Sequence, residues 1–212
     1  MSTQADTRFR RLREKGSRDF KLACSIIDAA KICHVGIAVD GQPYVLPMAM
    51  ARDGKNLLIH GSIASRLMKN LDAGLACCVT ITHLDGLVLA RSAFNSSMHY
   101  RSVMIFGVAR AVSEFAARER GLNLLTEHLL PGRMADIRPS TRKEINATML
   151  LTLPLETFTV KIGNKPPDDP AKDLQSRAWA GVVPLQLKAG KPVAAPDLAE
   201  GIDIPAYVRK LT

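Results

Sequence analysis

Residues 32–60, ICHVGIAVDGQPYVLPMAMARDGKNLLIH, decide the fold class. Three β-rich runs in this stretch are separated by Asp40-Gly41 and Asp53-Gly54. Asp-Gly favours tight hairpin turns because the central turn positions must accept a positive φ. The stretch therefore predicts a meander of three antiparallel strands. Pro43 and Pro47 suit strand edges, starts or bulges, because proline cannot donate to a central ladder.

Further short strands follow the meander. A third Asp-Gly, Asp85-Gly86, predicts a second hairpin within residues 75–94, and the pattern over 98–112 predicts a sixth strand. Residues 147–163 predict one more strand with a bend at Pro154. Short antiparallel strands with few helices between them indicate a mainly β fold and a small barrel. The pattern alone leaves Greek-key and split-barrel closure open.

Helices and terminal segments complete the predicted organisation. Apolar residues at helical spacing predict helices over residues 19–31, 62–72 and 114–130, and Ser140 is expected to cap a further short helix. The expected domains are a basic N-terminal arm (1–18), a barrel domain (19–162), and a Pro-rich linker with a C-terminal extension (163–212). We expect the extension to pack on the barrel or on a partner chain.

The composition argues against several classes of function. The 212 residues carry a formal charge of +9, but the basic residues form no long block and aromatic residues are only 5%. Neither feature suits a nucleic-acid-binding surface. No apolar run approaches the roughly 18–20 residues of a membrane span, and the N-terminus lacks the apolar core of a secretory signal. The four cysteines lack metal-site spacing. We expect a soluble cytoplasmic protein with free thiols and no metal, whose charge favours an anionic ligand.

Residues 57–71, LLIHGSIASRLMKNL, predict an anion site. Ser62 is expected to cap the following helix, whose unpaired first-turn amides attract an anion. Ser65 and Arg66 lie beside these amides, and Lys69 follows one turn later. An arginine fork offers parallel donors to two phosphate oxygens. The predicted apolar face of this helix contains Ile63, Leu67 and Leu71.

The same stretch has simpler interpretations. A serine caps many helices, and the cations would then form an ordinary solvated face. His60, at the end of a predicted strand, would be a structural histidine bonded to backbone. Gly61 permits a close approach of backbone or ligand.

A second cluster lies in residues 92–107, SAFNSSMHYRSVMIFG. Tyr100 and Arg101 are adjacent in a predicted strand, so their side chains point to opposite faces. An arginine inside a β-rich run is costly unless it is paired. Arg101 is therefore either a ligand contact or one half of a structural salt bridge.

Two runs carry a resemblance to a known family: CHVGIAVDGQPYVLPMAMARDGKNLLIHGSIASRLMKNL, residues 33–71, and DGLVLARSAFNSSMHYRSVMIFG, residues 85–107. Together they resemble the pyridoxamine 5′-phosphate oxidase-like, FMN-binding split-barrel superfamily. Within it, they are most similar to the flavin-nucleotide-binding proteins grouped with nitroimidazole-resistance reductases. The resemblance implies a homodimer of six-stranded antiparallel split β-barrels, of Greek-key type, with a few peripheral helices. It also implies FMN at the subunit interface.

The resemblance also assigns cofactor-binding positions. The FMN phosphate would be held by Ser65 and Arg66, at the helix start marked by Ser62. The remaining positions implied to lie near the flavin are Pro47, Met48, Ala49, Ile59, His60, Gly61, Arg101 and Ser102, with Trp179 approaching from the partner chain.

Two departures argue against pyridoxal phosphate synthesis. True pyridoxamine phosphate oxidases have a lysine where this chain has Leu67, and their arginine-rich C-terminal motif is not reproduced in PAYVRKLT. We therefore expect an FMN-dependent oxidoreductase that transfers electrons from a reduced nicotinamide to a small acceptor such as a nitroaromatic, with His60 as candidate proton donor. The alternatives are a non-catalytic flavin-binding protein and a haem- or deazaflavin-binding relative. The other histidines, His34, His83, His99 and His128, show no distinguishing haem-ligand pattern.

Overall fold

The chain forms one extensive antiparallel sheet with peripheral helices. A computed structural model describes residues 6–9 and 12–211. The strands of this part are β1 Gly16–Ser17, β2 Ile32–Val39, β3 Gln42–Asp53, β4 Asn56–Ser62, β5 Ala76–Leu89, β6 Ser97–Val108, β7 Arg110–Ala111, β8 Thr148–Pro154, β9 Thr157–Gly163 and β10 Gly181–Pro184. Its α-helices are α1 Phe20–Ala29, α2 Arg66–Asp72, α3 Phe115–Leu129, α4 Arg142–Ala147 and α5 Ala206–Arg209.

The predicted meander is confirmed as β2, β3 and β4. Asp40 and Gly41 are the central residues of the first turn, with φ values of 51° and 80°. In the second turn Asp53 pairs with Asn56, so the central residues are Gly54, with a φ of 57°, and Lys55. The long strand β3 changes partner along its length, pairing with β2 over residues 42–49 and with β4 over 50–53. Both prolines of β3 lie in its first part, where β2 is the one partner strand within the described chain.

The strand order is β1-β9-β6-β5-β2-β3-β4-β8-β7, and β10 pairs with β5. The mainly antiparallel β fold with few helices is confirmed and is consistent with a split barrel. The number of strands differs from the expected six, because the described residues form ten. Part of the excess arises from interruptions: the β6–β9 ladder resumes as β7–β8 with a slip of one residue. The break after Pro154 is where the sequence predicted a bend.

The hairpin predicted at Asp85-Gly86 is wrong. Both residues lie inside β5, at a bulge between Leu84 and Gly86, and the chain turns later, between Leu89 and Ser97. The glycine serves a close approach instead of a turn: a Cβ at Gly86 would lie 3.0 Å from the carbonyl oxygen of Val183 in β10. The glycine at position 86 is therefore explained by the close packing of β10, a strand of the C-terminal extension.

Two apolar clusters hold the fold together. The larger one fills the space between the sheet, α1 and α2, and α1 contributes the predicted face with Ala23, Ile26 and Ile27. The smaller one joins α3 to the sheet through Leu125, Leu58, Leu150 and Ala51. Each fully buried leucine or isoleucine side chain contributes roughly 1.5–3 kcal/mol relative to an exposed one.

Helices α1 to α4 start at side-chain caps, and the caps of α2 and α4 differ from those predicted. Asp19 caps α1 by accepting from the amides of Lys21 and Leu22 at 2.8 and 3.3 Å. The cap of α4 is Thr141 rather than Ser140, because Thr141 and Glu144 form a reciprocal capping box. A capping box requires a glutamate or glutamine three residues after the cap. The residue three positions after Ser140 is Lys143, so Ser140 cannot form one.

Both terminal segments contact the sheet. The predicted basic arm falls partly outside the described residues, which omit 1–5, 10 and 11. In the described part of the arm, Arg18 donates to the carbonyl and hydroxyl oxygens of Thr7 at 3.1 and 2.9 Å. The predicted linker is anchored by Asp169, which accepts from the Arg91 amide at 2.9 Å and the Arg91 guanidinium at 3.0 Å. The extension then adds β10 to β5.

The four cysteines are free thiols, as predicted. Burial raises the pKa of Cys33 to about 12 and that of Cys77 to about 11. Among residues 6–9 and 12–211, no helix is long and apolar enough to cross a membrane. Within these same residues, no group of three or more His, Cys, Asp or Glu side chains converges to form a possible metal site.

Candidate functional site

The corner between β4 and α2 is built differently from the prediction. The helix cap is Ser65 rather than Ser62, and the Ser65 hydroxyl accepts from the Met68 amide at 3.5 Å. Ser62 ends β4, and its hydroxyl accepts from the Ala64 amide at 3.1 Å. The helix begins later because residues 63–64 are used to turn the chain. Ile63 is accordingly 48% exposed instead of packing on the helix face, whereas Leu67 and Leu71 are buried.

Arg66 presents an unpaired cation at the first position of α2. Its guanidinium carbon lies 4.6 Å from the centroid of the Tyr44 ring, a cation–π distance that fixes the side chain without neutralising it. In the described part of the chain, Arg66 forms no salt bridge. Tyr44 was not predicted as a site residue, because the local sequence pattern of β3 does not show that Arg66 stacks on its ring.

Gly61 permits α2 to pack against β4. A Cβ at this position would lie 2.8 Å from Cγ of Met68, a fully buried side chain. The predicted close approach at Gly61 is therefore made by this chain's own helix. It brings the first turn of α2, with Ser65 and Arg66, onto the end of β4.

The alternation of β4 separates the predicted flavin contacts onto two faces. Ile59 is 1% exposed and belongs to the larger apolar cluster, and Gly61 faces the same side. His60 points to the opposite side, toward α3 and α4. The sequence motif Ile59-His60-Gly61 therefore does not form one continuous contact surface.

His60 lines a cavity of about 260 Å³ between β4, α3 and the segment through α4. Its Nδ1 is buried and has no hydrogen-bond partner in the described structure. Burial lowers the pKa of His60, which favours the neutral imidazole. The apolar walls of this cavity come from Leu122, Leu125, Leu129, Met134, Ile137 and Ile145. Sequence reasoning missed these residues because the packing of α3 on β4 is a long-range contact.

The predicted contacts on β3 flank an open apolar face. Pro47 pairs with His34 and Ala49 pairs with Ile32, so these four side chains share the outer face of the sheet. Met48 points inward and packs against the larger cluster. The outer face also contains Val45, and the exposed fractions of Val45 and Ile32 are 66% and 53%.

Arg101 forms a two-point salt bridge with Asp85. Its Nε and one terminal nitrogen each lie 2.8 Å from a carboxylate oxygen, and this donor pair holds the pKa of Asp85 below its usual range. The arrangement is the structural alternative that the sequence left open. Ser102 faces the other side of β6, where its hydroxyl donates to the Lys161 carbonyl at 3.4 Å.

Trp179 lies next to β10 and is 65% exposed. Its ring covers Gly181, where a Cβ would come within 2.8 Å of the indole. The structure thus brings Ser65, Arg66 and Tyr44 to one corner. It places His60, Arg101 and Trp179 elsewhere in the molecule.

Solved structures provide the comparison with known proteins. The FAD and haem binding protein of Mycobacterium smegmatis is 38% identical, with a TM-score of 0.90 over 93% of this chain and 97% of that one. The flavocytochrome Anf3 of Azotobacter vinelandii is 33% identical, with a TM-score of 0.91 over 98% and 97% of the two chains. No curated protein sequence matches the chain.

More distant similarity defines the fold. A protein described as a 5-nitroimidazole antibiotic resistance protein, from Bacteroides thetaiotaomicron, is 22% identical, with a TM-score of 0.59 over 69% of this chain and 86% of that one. The profile of the pyridoxamine 5′-phosphate oxidase family matches residues 21–162, which include β2 to β8 and the α2 corner. The chain therefore belongs to the pyridoxamine 5′-phosphate oxidase family, within the FMN-binding split-barrel superfamily.

Proposed function

We propose that this protein binds a flavin nucleotide, with the flavin phosphate held at the corner formed by Ser65, Arg66 and Tyr44. The observation that carries the proposal is Arg66, an exposed guanidinium at a helix start with no acidic partner in the described residues. The amides of Arg66 and Leu67 are also without partners there, as first-turn amides generally are. These donors fit a phosphate.

The chemistry proposed is electron transfer from a reduced nicotinamide to a small acceptor. A bound flavin would supply the redox chemistry, and the protein would bind it, orient it and exclude water from it. Either FMN or FAD would present a phosphate to Arg66. The similarity to the Mycobacterium smegmatis protein over 93% of the chain favours FAD, whereas the family resemblance favours FMN.

Replacing Arg66 tests the phosphate corner. Arg66→Ala should weaken flavin binding roughly ten- to a hundredfold, because a hydrogen bond to a charged group contributes about 1.5–3 kcal/mol. Arg142→Ala is the matched control: Arg142 is also the first residue of a helix, and its guanidinium lies 5.0 Å from the Phe115 ring centroid. Fluorescence titration measures both variants, and mass spectrometry of the released cofactor distinguishes FMN from FAD. Equal affinity in Arg66→Ala and wild type would refute the site.

We further propose a homodimer formed through the outer sheet face that contains Ile32, Val45 and Pro47, with the flavin near the interface. The support is the exposure of Ile32 and Val45 on adjacent paired strands, since contiguous exposed apolar residues commonly mark protein contacts. Val45→Glu should produce a monomer in sedimentation experiments. Val193→Glu, at a still more exposed valine of the C-terminal extension, should remain a dimer. A dimeric Val45→Glu protein would exclude this face.

The free thiols also fit the proposed cytoplasmic location.

Haem is a second candidate cofactor. The Mycobacterium smegmatis and Azotobacter vinelandii proteins described above are named as a haem binding protein and as a flavocytochrome, and the similarity to them extends over at least 93% of this chain. The specific observation in this chain is His60, which lines a cavity and has a buried ring nitrogen without a partner among the described residues. Absorption spectroscopy of the purified protein, with and without added hemin, tests this function separately from flavin binding.

A further inference from the structure

We infer that a cavity between residues 6–9, here called the roof segment, and the outer face of β6 and β9 binds a small aromatic anion. Its volume is about 330 Å³, within the range of roughly 300–1,000 Å³ that is usual for small-molecule sites. The cavity shares no residue with the phosphate corner at Arg66. Binding there is therefore a function beyond the proposed flavin site.

The floor of the cavity is fixed by the register of two paired strands. Met104 of β6 pairs with Thr159 of β9. Two residues away on each strand, Ser102 pairs with Lys161 on the same face of the sheet. Val103, between Ser102 and Met104, is fully buried on the opposite face, whereas Met104 is 39% exposed. The strand pattern thus directs these four side chains away from the apolar cluster and toward the roof segment.

The roof segment is held over this floor by two sets of contacts. Arg18 donates to two oxygens of Thr7, as described above. The ring of Phe9 lies against Gly16, where a Cβ would come within 2.6 Å of ring atoms. Gly16 pairs with Lys161 in the β1–β9 ladder, and directly paired residues share one face of a sheet. The Phe9 ring is therefore placed on the cavity side, next to Lys161.

The lining of the cavity suits a flat aromatic ring with a polar substituent. Phe9 and Phe106 provide aromatic surface, and Met104 adds a thioether, which makes favourable contacts with rings. Thr159 and Ser102 add hydroxyl groups. Apolar surface that covers a ligand, together with a few polar groups that orient it, is the usual composition of a small-molecule site.

The charges at the cavity select a negative substituent. Asp6 and Arg8 form a two-point pair with each other, at 2.9 and 3.0 Å. Lys161 is half-buried, and its ammonium group has no ionic or hydrogen-bond partner among residues 6–9 and 12–211. The ionised side chains that line the cavity therefore sum to one positive charge, which favours a ligand with one negative charge.

Benzoate and benzamide are probes of nearly the same shape that separate the charge from the ring. Equilibrium dialysis against the full-length protein should show tighter binding of benzoate. Lys161→Gln should lower the ratio of benzoate to benzamide affinity by at least about threefold, a modest factor because solvent screens a partly exposed charge. High salt should lower the ratio in the wild type as well. Lys165→Gln, at an exposed lysine just after β9, removes the same charge and should leave the ratio unchanged.

Gly16→Ala tests the roof segment separately. The added methyl group would displace the Phe9 ring, so affinity for both probes should fall together while their ratio is kept. If circular dichroism shows that Gly16→Ala fails to fold, Phe9→Ala replaces it with the same expected result. Unchanged affinity for both probes in the folded variant would exclude the roof segment from the site.

Three results would overturn the inference. The first is a wild-type protein that binds neither probe, and the second is an unchanged affinity ratio in Lys161→Gln. The third is weaker flavin binding by Lys161→Gln, which would make the cavity part of the flavin site. Conversely, a protein that binds benzoate through Lys161 but takes up no flavin would refute the proposed flavin function and leave the aromatic-anion site intact.

Discussion

At the scale of single residues, Arg66 is held in place by a different kind of contact from Arg52, Arg91 and Arg138. Arg52, Arg91 and Arg138 are each paired with a carboxylate. Arg66 is held by the face of an aromatic ring and keeps its full charge available. A fixed but unneutralised cation is what a phosphate site requires, so this residue carries the proposed function.

Arg101 provides a prediction at the same scale. Because Arg101 and Asp85 are both partly exposed, their coupling in a double-mutant cycle with Arg101→Gln and Asp85→Asn should be about 1 kcal/mol or less. Urea unfolding measures the four stabilities. Flavin titration of the same proteins separates the two interpretations of Arg101. A ligand contact would lower flavin affinity in Arg101→Gln and leave it unchanged in Asp85→Asn, whereas a purely structural pair would leave both unchanged.

At the scale of elements, α3 is placed by a glycine. A Cβ at Gly121 would lie 2.4 Å from Cδ2 of Leu150, which is buried in the smaller apolar cluster under this helix. A side chain at this position would therefore require either Leu150 or the helix to shift. The same helix forms one wall of the cavity at His60, so its distance from the sheet also sets the shape of that cavity.

We expect Gly121→Ala to lower the free energy of unfolding by about 1–2 kcal/mol. Overpacking costs typically 1–3 kcal/mol, and the better helix propensity of alanine offsets up to about 1 kcal/mol of this. Gly190→Ala is the control, because no atom lies within 4 Å of a Cβ there and the expected change is within about 0.5 kcal/mol. Urea unfolding compares the two. Stabilisation by Gly121→Ala would show that Leu150 or α3 can shift at no cost.

At the scale of the whole molecule, burial of Cys33 and Cys77 links stability to pH. Their pKa values of about 12 and about 11 lie above the usual cysteine value of 9.0. Both thiols are protonated in the folded and unfolded chains below pH 9, so their contribution is fully present there. Above pH 9 the unfolded chain releases these protons while the folded chain retains them. Stability therefore falls as the pH rises.

The expected slope is at most about 1.4 kcal/mol per pH unit for each thiol, between pH 9 and about 11. Urea unfolding at a series of pH values measures it. Lysines and tyrosines also titrate in this range, so the comparison is with the double variant Cys33→Ala, Cys77→Ala. Its stability should fall less steeply with pH, whatever its absolute value. An identical slope in the double variant would contradict the linkage.

The sequence by itself determined the features that depend on neighbouring residues. The turns at Asp40-Gly41 and at Gly54 follow from local φ preferences, and the buried face of α1 follows from helical spacing. The family was also recognisable from sequence, because its motifs in residues 33–71 and 85–107 are contiguous.

Only the tertiary structure decided the features that depend on distant partners. Asp85-Gly86 continues a strand because β10 approaches it, and His60 faces a cavity because α3 packs on that side of β4. Tyr44 reaches Arg66 across the α2 corner although the two residues belong to different elements. Strand register and helix docking bring together residues far apart in the chain, and local preferences do not encode which residues these will be.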